Sequence, residues 1–375
     1  MVQVPIDDRR TRFVHGGNET ATAFNEAPPS RAITDFITGA KGLIETITVE
    51  PGLASPAWPT IYFLVGWWGC ASDYLETMHF FSRLGFRTRS FSWRGTGRSR
   101  GWSFWGFGLE DELLRVLRHF QDERPVFISH SGAIDPLRHA FGILHEEDRR
   151  SNEQSRGHKG HKALAEAAIF IAPLSRSGTM AALMRWLRPD RSGTNLTRWL
   201  RFLGSNLFGL AWFMRNELAL RRVLLSDRAP VQVVERVRAQ IGPCPYGCYF
   251  RSLWRFPQFL QYKAQPLDNF GVKHSLLLHA ELDRNFSPRQ QRETAEALGA
   301  EFGILSGTCH QWFAEPVSFQ RTVTTVFEWM QRKEILPTDG EFMPRVRESL
   351  WNRWIQPPFS EEAGAQLLEE PLARQ

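Results

Sequence analysis

Short continuous apolar runs alternate with stretches of helical spacing along most of the chain. Runs at 60–65, 86–93, 126–128, 167–172, 274–280 and 302–305 have the length and composition of buried strands. Between and after them, 72–84, 109–120, 134–144, 288–298 and 316–332 carry apolar residues at helical spacing. Two alternating runs, 32–38 and 43–49, joined by Gly39-Ala-Lys-Gly42, predict a β-hairpin at a sheet edge. Strands that alternate with helices imply a mostly parallel sheet covered on both faces, an α/β architecture. From 174 to 270 the pattern is helical, rich in Arg, Trp, Leu and Phe, with breaks at Pro189, Gly204, Pro230 and Pro243. The expected organisation is an N-terminal arm (1–31), a core (32–173 and 271–335), a helical segment between (174–270) and a C-terminal tail (336–375). Residues 145–162 are charged and polar and read as a loop insertion in the core. Within the tail, 345–355 fits a short helix with Val346, Leu350 and Trp354 on one face.

Composition narrows the class. At 375 residues the chain can bury a large core, and 42% hydrophobic with 23% charged content suits a soluble globular protein. The first ten residues lack the apolar stretch of a signal peptide, and no run reaches the 18 or so residues of a membrane span. A cytoplasmic protein is expected. Four cysteines are too few for a disulfide framework, and Cys244 and Cys248 have no second pair nearby, so no metal is expected. The net charge of +6 is uneven. Between 174 and 263 lie 14 Arg and one Lys against two Asp and two Glu. Such a segment can attract anionic substrates or lipid headgroups and make peripheral membrane contact, or it can simply be a solvated face. No recognised nucleic-acid motif accompanies it, and no nucleic acid is expected.

Chemistry concentrates on Pro125-Val-Phe-Ile-Ser-His-Ser-Gly-Ala133. A strand, a serine on a tight turn and a helix form a nucleophile elbow, in which the turn lifts the serine hydroxyl clear of the sheet edge. The chain has Ser-x-Ser-x-Ala where Gly-x-Ser-x-Gly is usual, and Ser129 and Ala133 are still small. Ligands of such sheets sit at the carboxyl ends of the strands. The Ser131 turn, the Gly66-Trp67-Trp68-Gly69 loop, Asp283 and His310 all follow expected strands. Ser131 is therefore the candidate nucleophile, His310 the base and Asp283 the group that orients the base, in the order Ser, Asp, His. Glu281 is a competing acid, and Asp283 could instead cap the next helix. Asp135, one turn into its helix, is expected to cap or pair there. The oxyanion donors would be the Gly132 and Trp67 N–H groups. Trp68, His130, Trp186 and Trp212 are the candidate substrate-pocket residues.

The loops Phe63-Leu-Val-Gly-Trp-Trp-Gly69, Ser92-Trp-Arg-Gly-Thr-Gly-Arg-Ser99, Ser129-His-Ser-Gly-Ala133, Ala280-Glu-Leu-Asp283 and Gly307-Thr-Cys-His310 together resemble the α/β-hydrolase superfamily. They are most similar to its lysophospholipase and monoacylglycerol lipase-like serine hydrolases. The resemblance implies an eight-stranded sheet with a helical cap inserted after the sixth strand, matching 174–270, and no cofactor. Val65 stands where the family often has His, and Ser92 where Asp usually opens the Arg-Gly-x-Gly loop. Members that open epoxides or remove halides use an Asp nucleophile, which Ser131 argues against.

The expected activity is hydrolysis of a small-molecule carboxylic ester, anionic or lipid-like, through an acyl-enzyme. Two other classes stay open: an acyltransferase on the same residues, and a non-catalytic binding protein on this scaffold. The sequence leaves the oligomeric state undefined.

Overall fold

Eight strands form one sheet in the order β1-β2-β4-β3-β5-β6-β7-β8. They are β1 (Arg31–Gly39), β2 (Gly42–Glu50), β3 (Ile61–Leu64), β4 (Thr88–Phe91), β5 (Val126–His130), β6 (Ala165–Ile171), β7 (Val272–Ala280) and β8 (Glu301–Leu305). The computed structural model describes residues 30–39, 42–52, 58–67, 69–101, 108–154, 163–174, 217–241, 266–336 and 342–355. β1 and β2 form the expected antiparallel hairpin, and β2 is antiparallel to β4. From β4 through β8 every pairing is parallel. The sheet is therefore the mostly parallel eight-stranded one that the sequence resemblance implies.

Helices cover both faces. They are α1 (Leu75–Arg83), α2 (Leu109–Phe120), α3 (Ile134–Gln154), α4 (Glu217–Val223), α5 (Val231–Gln240), α6 (Pro288–Leu298), α7 (Pro316–Arg332) and α8 (Phe342–Ile355). The central strands β3, β5 and β6 are buried at every position because helices cover both of their faces. Strand alternation sorts them: Ile61, Phe63, Val126 and Ile128 point to the face packed by α1, α7 and α8. Tyr62, Leu64 and Phe127 point to the face packed by α2, α3 and α6. Phe342, Val346 and Leu350 of α8 are buried in the first of these layers, and α8 begins three residues before the helix expected at 345.

Helix ends read from the sequence coincide with the structure where a cap marks them. Ser287 caps α6 by accepting from the Gln290 N–H, with Pro288 at the first position. Pro316 likewise stands at the start of α7, there without a side-chain cap. One expectation is corrected. The loop expected at 145–162 is helical as far as Gln154, as a continuation of α3. Its apolar stripe fades after Leu144, but Arg149 bonds Glu146 and Glu153, and Arg150 bonds Glu146, at helical spacing. These charge pairs support turns that no core contact requires. Residues 155–162 lie outside the described residues. So does most of the segment 174–270, of which α4 and α5 are described, and the arm at 1–29. Among the described residues no helix is long and apolar enough to cross a membrane.

The chain lays β4 on one side of β3 and then crosses to lay β5 on the other. A crevice opens where connections diverge in this way, outside the carboxyl ends of the two strands. The loop at Gly66–Trp67 follows β3, and Ser131 follows β5.

Candidate active site

Ser131 is the first residue after β5, and its φ is +50°. The left-handed region is costly for a residue with a Cβ, by about 1 kcal/mol. The position is held from both sides. β5 is paired with β3 up to Ser129 and with β6 up to His130, and α3 starts at Ile134. The Ser131 carbonyl also accepts the Leu174 N–H at 3.0 Å, which ties the segment leaving β6 to the turn.

His310 and Asp283 come to the same strand end from the loops after β8 and β7. Asp283 Oδ2 lies 2.8 Å from His310 Nδ1, and His310 Nε2 lies 3.1 Å from Ser131 Oγ. A carboxylate can only accept, so Nδ1 carries the proton and donates to Asp283. Nε2 is then left to accept from the Ser131 hydroxyl. The other Asp283 oxygen accepts the Asn285 N–H at 2.7 Å. Both Asp283 and His310 are buried, so the bond between them is shielded from water, while Ser131 is half-buried. The competing acid is elsewhere: Glu281 accepts from Ser306 Oγ and the Gly307 N–H, contacts that hold its carboxyl below the usual range and fasten the turn after β8. Asp135 faces His139 one turn on, at 3.7 Å within α3.

The β3 loop closes against the elbow. A Cβ on Gly66 would stand 3.0 Å from both Ser131 Cβ and the His130 ring. A Cβ on Gly132 would stand 2.4 Å from the Trp67 indole. Both glycines are thus required by close approach, and Trp67 lies directly over the residue that follows the serine. Trp68, Trp186 and Trp212 lie outside the described residues. His130 is corrected as a pocket residue. Its ring is buried, and Nε2 bonds the His310 carbonyl at 2.9 Å, so it lies behind the base.

The loop at 92–99 braces the β3 loop through a carboxylate that sequence reasoning missed. Glu45, on β2, accepts from Ser92 Oγ and from the Arg98 N–H and guanidinium. Ser92 Oγ in turn accepts the Ala71 N–H at 2.9 Å. A hydroxyl thus stands where the resembling sequences have Asp, and the negative charge comes from the next strand. Glu45 was invisible as a partner because 47 residues separate it from Ser92. Nearby, Asp73 accepts the Cys70 N–H, and its carboxyl is pushed up to about 6, chiefly by burial.

Described residues of the segment 217–241 dock on the loops that carry Asp283 and His310. Ser226, between α4 and α5, gives its N–H and hydroxyl to Glu315. The Gln311 N–H bonds the Leu224 carbonyl at 2.7 Å, Asn285 bonds the Val223 carbonyl, and Arg236 bonds that of Ala314. No group of His, Cys, Asp and Glu suited to a metal ion occurs among the described residues.

Residues 61–357 match the family model described as "Alpha/beta hydrolase family". No curated protein matches significantly. Among solved structures, a bromoperoxidase from Bacillus anthracis superposes with a TM-score of 0.53 at 11% identity, covering 80% of this chain and 99% of that one. A thermophilic esterase from Thermogutta terrifontis gives 0.51 at 14%, covering 81% and 99%. A haloalkane dehalogenase loop variant from Bradyrhizobium elkanii gives 0.51 at 13%, covering 81% and 98%. Identities this low concern the fold alone, and the three differ in chemistry, so the choice among chemistries rests on the residues at the strand ends.

Proposed function

The chain belongs to the alpha/beta hydrolase family, and from that premise we propose that it is a serine hydrolase that cleaves a carboxylic ester through an acyl-enzyme. One observation carries the reading: the hydrogen-bonded line from Asp283 through His310 to a serine held at positive φ on a strand-to-helix turn. Ser131 Oγ attacks the ester carbonyl carbon while His310 Nε2 takes its proton, and the carbonyl π pair moves onto oxygen. The Gly132 and Trp67 N–H groups are the proposed donors to that oxyanion, each worth on the order of 3 kcal/mol in the transition state. Asp283 stabilises the imidazolium without taking its proton. Collapse of the intermediate breaks the bond to the alcohol, which leaves with the proton from His310. Water then adds to the acyl carbonyl and gives a proton to His310; collapse breaks the bond to Ser131 Oγ, which takes that proton back as the carboxylic acid leaves.

Within the family, the reading favours monoacyl lipid-like esters of the lysophospholipase and monoacylglycerol lipase type. Its support is the set of loop sequences that resemble those enzymes, together with the basic segment at 174–263, suited to an anionic headgroup. Residues 174–270 would form the cap over the site, and the bonds from 223–236 to the acid and base loops support that assignment. The test is hydrolysis of a p-nitrophenyl ester series from acetyl to palmitoyl, wild type against Ser131→Ala. Turnover that peaks at medium or long chains and vanishes in the variant is expected. Equal turnover by both proteins would refute the assignment.

A further inference from the structure

His130 is the last residue of β5, and its backbone is extended and paired with Ile171 of β6. Its ring is 3% exposed. The ring nitrogen Nε2 sits 2.9 Å from the carbonyl oxygen of His310. A carbonyl only accepts, so Nε2 carries the hydrogen and donates. The two imidazoles are 4.9 Å apart at their centres, and Phe313 meets the His130 ring edge-on at 5.8 Å. The surroundings favour the neutral ring: burial first, and then the neighbouring His310, push its pKa well below the ordinary value. An uncharged ring this close does not oppose the positive charge that His310 must take up during turnover.

The rest of the His310 loop is held by other groups. Glu281 takes the Gly307 N–H, Ser318 takes that of Cys309, and Leu224 takes that of Gln311. The His310 carbonyl is held by His130, the residue next to the serine. The main chain of the base is thereby referenced to the strand that carries the nucleophile.

On the serine-hydrolase reading, we propose that His130 is a positioning residue, a neutral imidazole that donates to the His310 carbonyl and fixes the base relative to Ser131. Displacing a catalytic group by about 1 Å can cost on the order of 100-fold in rate. A lost tether should therefore appear in kcat, with KM nearly unchanged.

The test compares wild type, His130→Phe, which keeps a ring but has no donor, and His130→Gln, which restores an N–H. Hydrolysis of p-nitrophenyl butyrate is measured per active site titrated with a fluorophosphonate, so that loss of folded protein does not count. His130→Phe should lose about 10- to 100-fold in kcat with KM within about twofold, and His130→Gln should recover a large part of it. A His130→Phe kcat per titrated site within about twofold of wild type would overturn the inference while leaving the serine-hydrolase reading intact. A wild type that is folded yet neither labelled nor active would bring down both. If His130→Phe does not fold, ¹⁵N-histidine NMR of the wild type decides. A ring protonated at Nε2 that stays neutral where a free imidazole would titrate is expected, and a ring that titrates near 6.5 overturns the inference.

Discussion

Ser131 shows how strain is placed where the chemistry needs it. A non-glycine residue at φ +50° is tolerated because β5 and α3 fix both ends of the turn. Ser131→Gly should therefore raise stability by about 1 kcal/mol in thermal or urea unfolding while removing the proposed esterase activity. Beside it, Gly132→Ala drives a Cβ into the Trp67 indole. The substitution should lower kcat by more than about 10-fold, and adding Trp67→Ala should restore part of the loss, a coupling readable in a double-mutant cycle. Asp73 supplies a pH test. Its folded-state carboxyl, pushed up from 3.8 to about 6, binds its proton more tightly than the unfolded chain does. The stability this gives is complete below pH 3.8 and is lost as pH rises through about 6. Asp73→Asn has no such proton to lose and still offers an oxygen to the Cys70 N–H. It should unfold at higher urea than wild type at pH 8, by up to roughly 3 kcal/mol, and match it at pH 4. The sequence marked Ser131, Asp283 and His310 because each follows an apolar strand in a fixed order. It did not mark Asp73 or Glu45, whose importance lies in burial and distant partners.

Elements were legible in proportion to their apolar contrast. α2, α6 and α7 have sharp apolar faces, and the latter two open with proline. Their limits in the structure are those read from the spacing. α3 was cut short because its last turns depend on Glu and Arg pairs, which look the same in a solvated loop. The α4–α5 turn was illegible as a contact surface, since nothing local says that Ser226 meets Glu315 across 89 residues. That junction is testable. Glu315→Ala leaves the Ser226 N–H without its carboxylate, which should cost about 1–3 kcal/mol. Faster hydrogen exchange over 223–236 is expected, with exchange in β5 and β6 unchanged. Uniform acceleration across the protein would show that the contact is not a local fastening.

The molecule as a whole brings four loops from separate parts of the chain to one end of a parallel sheet. The alternation of strands and helices made that class of architecture readable, and right-handed crossovers leave few ways to arrange it. The strand order was not read from the sequence, since periodicity carries no record of which strand neighbours which. Family and fold still leave the reaction open, as a peroxidase, an esterase and a dehalogenase share the architecture. The decision rests on whether Ser131 is an activated nucleophile. The direct measurement is fluorophosphonate labelling with peptide mass mapping, on wild type, Ser131→Ala, His310→Ala and Asp283→Asn. The account expects one adduct, on Ser131, absent in the first variant and slowed by several orders of magnitude in the other two, on the order of 10⁴-fold for a lost tautomer. A folded wild type that takes no label, or that takes it on another residue at the same rate in all four proteins, would contradict it.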